Sequence, residues 1–181
     1  MLLNVELSLK IFNLHFLLQN PMKDIAFFKK LDDLDTESKY LVHKAKEAAQ
    51  HAYAPYSKFN VGAAIILEDG TVITGSNQEN AAYPLCMCAE RVALYAATSM
   101  YAGKKIVKMA IVAHKKNHKE LTPAASCGAC RQVMVEFEER QHKPFEVILF
   151  AAEDKWIKTP SAVSLLPFVF SKDNLDHDSK K

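Results

Sequence analysis

The residues with the widest chemical reach in this chain are Cys88-Ala89-Glu90 and Cys127-Gly128-Ala129-Cys130. Each group falls where a helical pattern begins. The unpaired N–H groups and the positive dipole end of a helix start favour thiolate over thiol. Two such starts facing one point would present three thiolates to one cation and leave a fourth tetrahedral position for water. That is the arrangement of a catalytic zinc ion, whereas a structural site normally takes four protein ligands. Glu90 lies two residues beyond Cys88, near enough to take a proton from a metal-bound water and hand it on. Three thiolates make the site net anionic, so nearby positive charge is needed. Arg91 and Arg131, each directly after a motif residue, are the candidates to supply it. A lone C-x-x-C is weak evidence, and cysteine pairs also serve as small buried hydrophobes. The order C-x-E followed by C-x-x-C is much more restrictive.

The elements that must hold these groups alternate along the chain. The pattern predicts a helix from about Asp35, its N-cap, to about Ala52, with Leu41, Val42, Ala45, Ala48, Ala49 and Ala52 on one apolar face. Ala54-Pro55-Tyr56-Ser57 ends it. Asn60–Leu67 and Thr71–Asn77 read as strands around Glu68-Asp69-Gly70, a strong hairpin signal. A helix from about Cys88 to Met100, a strand at Lys108–Ala113, a helix from about Cys130 to Arg140 and a strand at Glu146–Phe150 follow. Trp156–Thr159 adds an edge strand and Ala162–Leu166 a short terminal helix. An antiparallel hairpin followed by helical crossovers predicts an α/β sandwich with a mixed sheet.

A chain of 181 residues with a net charge of +2 fits one domain and gives no electrostatic reason to expect nucleic acid or an anionic membrane as partner. A small-molecule partner is favoured. The four cysteines form two short clusters, which suits metal ligation in a reducing cytoplasm better than a disulfide framework. Residues 1–34 read as an N-terminal extension. Met1–Leu18 is apolar but interrupted by Asn4, Glu6, Lys10, Asn13 and His15, too short and polar to span a membrane and without the basic start of a signal peptide. Either Met22 is the working start, or the segment packs on a neighbouring subunit. From Lys172 a polar tail, residues 172–181, is expected to be disordered.

Five segments in order resemble the small homotetrameric cytidine deaminases. They are Tyr53-Ala54-Pro55-Tyr56-Ser57-Lys58-Phe59, Asn77-Gln78-Glu79-Asn80-Ala81-Ala82-Tyr83-Pro84, Cys88-Ala89-Glu90-Arg91, Cys127-Gly128-Ala129-Cys130-Arg131-Gln132 and Leu165-Leu166-Pro167-Phe168-Val169-Phe170. The resemblance implies a three-layer α/β/α sandwich with a mixed five-stranded sheet and a catalytic domain over residues 35–171. It further implies one zinc ion per subunit on Cys88, Cys127 and Cys130, and Glu90 as the proton shuttle that serves N3 and then the leaving amine of a pyrimidine nucleoside. Asn77 and Glu79 would hydrogen-bond the ribose at its 3′-hydroxyl, Phe59 would pack on the base, and Tyr83 belongs to the substrate loop. The backbone of Ala89 and the carbonyl of Ser126 would read the base's polar edge. Phe170 would reach a neighbour's site in a homotetramer. Read without the family, Asn77 is equally a strand-end cap, Glu79 a solvated loop charge, and Phe59 and Phe170 core residues.

Two positions depart from the pattern. Ser126 stands where the family usually has proline, and Cys86 is an extra thiol, expected to be a non-ligand. Three rival functions compete with this reading. A deaminase of another aminated pyrimidine is opposed by Asn77 and Glu79. Nucleotide or polynucleotide deaminases would call for a His ligand or a basic aromatic channel. A non-catalytic zinc module would have no use for Glu90.

Overall fold

The computed structural model describes residues 24–175. Asp35 caps helix α1 (Thr36–Ala49) by accepting the Ser38 N–H at 2.9 Å and the Ser38 hydroxyl at 2.6 Å. Strands β2 (Phe59–Leu67) and β3 (Val72–Ser76) form the hairpin, turned at Gly70 with φ +84°. Helix α2 (Ala89–Met100), strand β4 (Ile106–Lys115), helix α3 (Gly128–Gln141) and strands β5 (Glu146–Phe150) and β6 (Trp156–Thr159) follow.

Among the described residues the sheet has six strands, not five. The extra strand, β1 (Ala26–Phe28), lies in the stretch read as an N-terminal extension and pairs antiparallel with β6. Strand order is β1-β6-β5-β4-β2-β3, with only β4 and β5 parallel, so β6 is interior to the sheet instead of an edge. Three residues are too few to show a periodic pattern, and only the partner strand defines them.

Both sheet faces are covered, which is why β2, β4 and β5 read as nearly continuous apolar runs. Ala63, Ile65, Met109, Ile111, Val147 and Leu149 pack against α2 and α3, while Ala64, Ile66, Ala110, Val112 and Ile148 pack against α1. Three layers result. Two glycines set how closely the helices approach. A Cβ at Gly62 would lie 2.0 Å from the Ala45 carbonyl oxygen, and one at Gly75 would lie 2.5 Å from the Ala89 carbonyl oxygen and the Ala93 nitrogen. Gly75 thus lets the first turn of α2, where the chemistry begins, sit directly on β3.

Lys172–Asn174 forms a 3-10 turn, with the Ser171 N–H donating to Asn174 Oδ1 at 2.8 Å, so this part of the expected tail is ordered. The expectations for residues 1–23 and 176–181 lie outside the described residues. No helix among the described residues is long and apolar enough to cross a membrane.

Candidate active site

Both motifs sit on helix starts. Cys88 is the N-cap of α2, and Cys127 is the N-cap of α3, with Cys130 in the first turn. The start of α3 lies at Gly128, two residues earlier than the apolar pattern suggests, because the cap carries the thiol: the Cys130 N–H donates to Cys127 Sγ at 3.4 Å. The sulfurs of Cys88, Cys127 and Cys130 all lie within 4.8 Å of one another. Tetrahedral zinc with Zn–S bonds of about 2.3 Å places sulfurs about 3.8 Å apart, a spacing inside that limit. Three soft donors fit one zinc ion. Cys86 stays outside this cluster, its sulfur accepting the Asn80 N–H at 3.2 Å.

The thiols do not share charge evenly. The hydrogen bond from the Cys130 thiol lowers the Cys88 thiol to about 5 against the cost of burial, and Arg91 adds to the lowering. Cys130 moves the other way, pushed up by its bond to Cys88 and by burial. Of these two thiols, Cys88 holds the charge more readily than Cys130. Arg91 Nη2 stands 3.7 Å from Cys88 Sγ and 3.4 Å from the Cys86 carbonyl oxygen. Arg131 is used differently: Nε donates to the Ser126 carbonyl at 2.8 Å and Nη1 to the Leu165 carbonyl at 3.0 Å, with no hydrogen bond to a sulfur among the described residues. Of the two arginines read as charge-balancing, only Arg91 touches a thiol.

Glu90 is buried at 5 % exposure. Desolvation raises its carboxyl above the ordinary carboxylate range; the hydrogen bond from its own backbone N–H opposes this and the Cys88 charge adds to it. A carboxylate that holds a proton more readily than one in water suits proton transfer in both directions near neutral pH.

Phe59, Asn77, Glu79, Cys88, Glu90 and Cys127 line one cavity of about 310 Å³. Asn77 is spent partly on the fold: its Oδ1 accepts the Val61 N–H at 2.8 Å and its amide donates to the Phe59 carbonyl at 2.9 Å. One lone pair and one N–H remain for a ligand. Glu79 accepts the Tyr56 N–H at 2.9 Å and the Ser57 N–H at 3.3 Å, which fixes the carboxylate at the cavity mouth. Tyr83 lines an adjoining cleft and meets the edge of Tyr56 with ring centroids 5.7 Å apart.

Ala89 and Ser126 are buried, and neither is among the residues that line the cavity. The Ser126 carbonyl is already engaged by Arg131. Phe170 is 59 % exposed and lies off the cavity, its carbonyl held by Gln132 Nε2 at 2.6 Å. Ile111, Ala124 and Ala125 also line the cavity, and nothing in their types marks them beforehand. Gln132, which anchors the Phe170 backbone, does carry a signal, since it closes the second cysteine motif.

A sequence profile for the cytidine and deoxycytidylate deaminase zinc-binding region matches residues 35–143. The cytidine deaminase of Sporosarcina psychrophila is 39% identical over 142 residues, which cover 78% of this chain and 96% of that one. That of Halalkalibacterium halodurans is 49% identical over 96 residues, 53% of this chain and 68% of its own. The crystal structure of cytidine deaminase from Burkholderia pseudomallei, 41% identical, superposes with a TM-score of 0.62 over 76% of this chain and 100% of that chain. With its three-thiol cluster at two helix starts, the chain belongs to the zinc-binding cytidine and deoxycytidylate deaminase family, whose members are hydrolytic deaminases.

Proposed function

We propose that the protein converts cytidine and deoxycytidine to uridine and deoxyuridine, with water consumed and ammonia released, as a step of pyrimidine salvage. The observation that carries this reading is the enclosed Glu90 carboxyl, two residues from Cys88, in one cavity with Asn77 and Glu79. Zinc on Cys88, Cys127 and Cys130 supplies a water acidic enough to act as nucleophile near neutral pH.

Glu90 takes the proton of that nucleophile and delivers it to N3 of the base. As the oxygen bonds to C4, Glu90 takes the second proton, from the hydroxyl now on C4, and gives it to the exocyclic amine while the bond between C4 and nitrogen breaks, so the carboxylate ends the cycle as it began. Phe59 packs on the pyrimidine. Asn77 and Glu79 engage the 3′-hydroxyl with the lone pairs and N–H left over from their backbone bonds. A clamp at that position does not distinguish ribose from deoxyribose. Arg91 offsets the anionic thiolate set.

The working form is a homotetramer in the cytoplasm. Exposed Phe168 and Phe170, at 65 % and 59 %, support a neighbour's surface near the C-terminal segment, and four unpaired cysteines suit a reducing compartment. Neither nucleic acid nor a membrane is a partner on this reading. The test is the ultraviolet spectrum of cytidine, deoxycytidine, cytosine and CMP incubated in turn with the purified protein. Loss of the band for the two nucleosides alone supports the reading, and a preference for CMP or free cytosine contradicts it. Sedimentation that finds an active monomer would remove the tetramer.

A further inference from the structure

The stretch of chain that runs into Cys127 is thinly held. Between strand β4, which ends at Lys115, and helix α3, which starts at Gly128, the backbone is irregular. Its first part is pinned to the sheet, the Lys116 N–H donating to the Lys58 carbonyl and the Thr122 N–H to the Ala113 carbonyl, each at 2.7 Å. From Pro123 to Ser126 the main chain makes one hydrogen bond among the described residues, from Arg131 Nε to the Ser126 carbonyl at 2.8 Å. Serine at 126 leaves φ free where proline would fix it. A ligand at the end of such a stretch has conformational freedom to lose when a metal binds, unless something holds the backbone beforehand.

The guanidinium of Arg131 is anchored at its other end. Nη1 donates to the Leu165 carbonyl at 3.0 Å, and Leu165 closes the 3-10 turn Ala162–Leu165. The buried carboxylate of Glu138 fixes that turn to α3, accepting the Ser161 hydroxyl at 2.6 Å and the Ala162 N–H at 2.9 Å. A guanidinium is planar, with its donors in a rigid fork, so one that spans two carbonyls fixes the first relative to the second. We propose that Arg131 is a positioning residue for the zinc site: it clamps the Ser126 carbonyl to the Leu165 carbonyl and so holds Cys127 in place for the metal, the task that a proline at 126 would do through the backbone. Arg91 adjusts the charge at a ligand, and Arg131 sets where a ligand stands. The clamp acts on zinc binding alone, whichever base the site deaminates.

The test is the zinc dissociation constant of the full chain, measured by competition with a chromophoric chelator, for wild type, Arg131→Gln, Ser126→Pro and the double variant. The clamp predicts a constant raised about 10–100-fold in Arg131→Gln, the range for partners that orient metal ligands. Ser126→Pro alone stays near the wild-type value, because the Ser126 N–H makes no hydrogen bond among the described residues for proline to remove. In the Arg131→Gln background the same proline recovers most of the loss, a coupling that general loosening of the fold would not produce. Gln132→Ala, which frees the Phe170 carbonyl from α3 but leaves the ligand loop alone, keeps the wild-type zinc constant. If Arg131→Gln does not fold, Arg131→Lys replaces it, with a smaller loss expected from an ammonium that lacks the fork. A wild-type zinc constant in the Arg131 variant, or a loss that Ser126→Pro does not relieve, overturns the proposal. A wild-type chain that binds no zinc overturns instead the ligand set on which it rests.

Discussion

Arg91 Nη2 lies 3.7 Å from the sulfur of Cys88, whose thiol is held well below the ordinary thiol range. The contact joins a cation to a metal ligand within one helix turn, and its consequence is electrical. Each thiolate added to a zinc ion weakens the ion's pull on bound water. A guanidinium against one sulfur returns part of that pull. Replacing Arg91 by Gln is expected to lower kcat about 10–100-fold, in the range for groups that support metal ligands, while zinc stays bound. Metal analysis beside kinetics checks this, and full activity in the variant would remove Arg91 from the mechanism.

Glu79 is held at the cavity mouth by the Tyr56 and Ser57 N–H groups. Glu79→Ala should raise KM for cytidine about 10–100-fold, the loss expected for a hydrogen bond to a charged group. The same clamp predicts that 3′-deoxycytidine is a poor substrate and 2′-deoxycytidine a good one. Equal rates on all three nucleosides would show that Glu79 does not meet the 3′-hydroxyl.

Gly75 allows the first turn of α2 to rest on β3, with no room for a Cβ against the Ala89 carbonyl oxygen at 2.5 Å. Gly75→Ala is expected to cost about 1–3 kcal/mol of stability, as overpacking does. Because the displaced turn carries Glu90 and follows Cys88, zinc affinity should fall as well. Thermal unfolding with and without a competing chelator separates the two effects; an unchanged midpoint would contradict the packing argument.

Asp35 joins the cap of α1 to an ion-pair cluster, with Lys108 at 3.0 Å and Lys158 at 3.2 Å. Burial alone would raise its carboxyl, but the Ser38 bonds and the two lysines outweigh it and hold Asp35 far below the ordinary carboxylate range. A depressed folded value means that the stabilisation is complete above the unfolded value, about 4, and fades as pH falls toward the folded one. Asp35→Ala should therefore cost about 1 kcal/mol at pH 7, as loss of a cap does, and less below about pH 4. Urea unfolding of both chains across that range tests the sign. A gap that widens on acidification would be wrong for this ion-pair assignment.

Much of this site is legible in the sequence because its chemistry rides on local signals. Asp35 marks a helix start by its own side chain, Asp69-Gly70 marks a turn by its backbone freedom, and Cys88 and Cys127 each sit on a cap. What stays hidden depends on contacts distant in sequence. β1 exists because β6 offers it an edge, and β4 runs past its predicted end through polar His114 and Lys115 because β2 pairs along its length. Arg131 follows a ligand in sequence much as Arg91 follows Glu90, yet the Leu165 carbonyl, 34 residues away, draws it off the sulfurs.

Hydrolytic deamination here stands or falls with Glu90, beside zinc held by Cys88, Cys127 and Cys130. The most direct test compares wild type with Glu90→Gln, each assayed for zinc content and for ammonia release from cytidine. The expected result is one zinc per chain in both, ammonia from the wild type that stops on chelation, and a loss of kcat of about 100-fold or more in the variant. A Glu90→Gln chain that retains zinc and releases ammonia at the wild-type rate would contradict the assignment of Glu90 as proton shuttle.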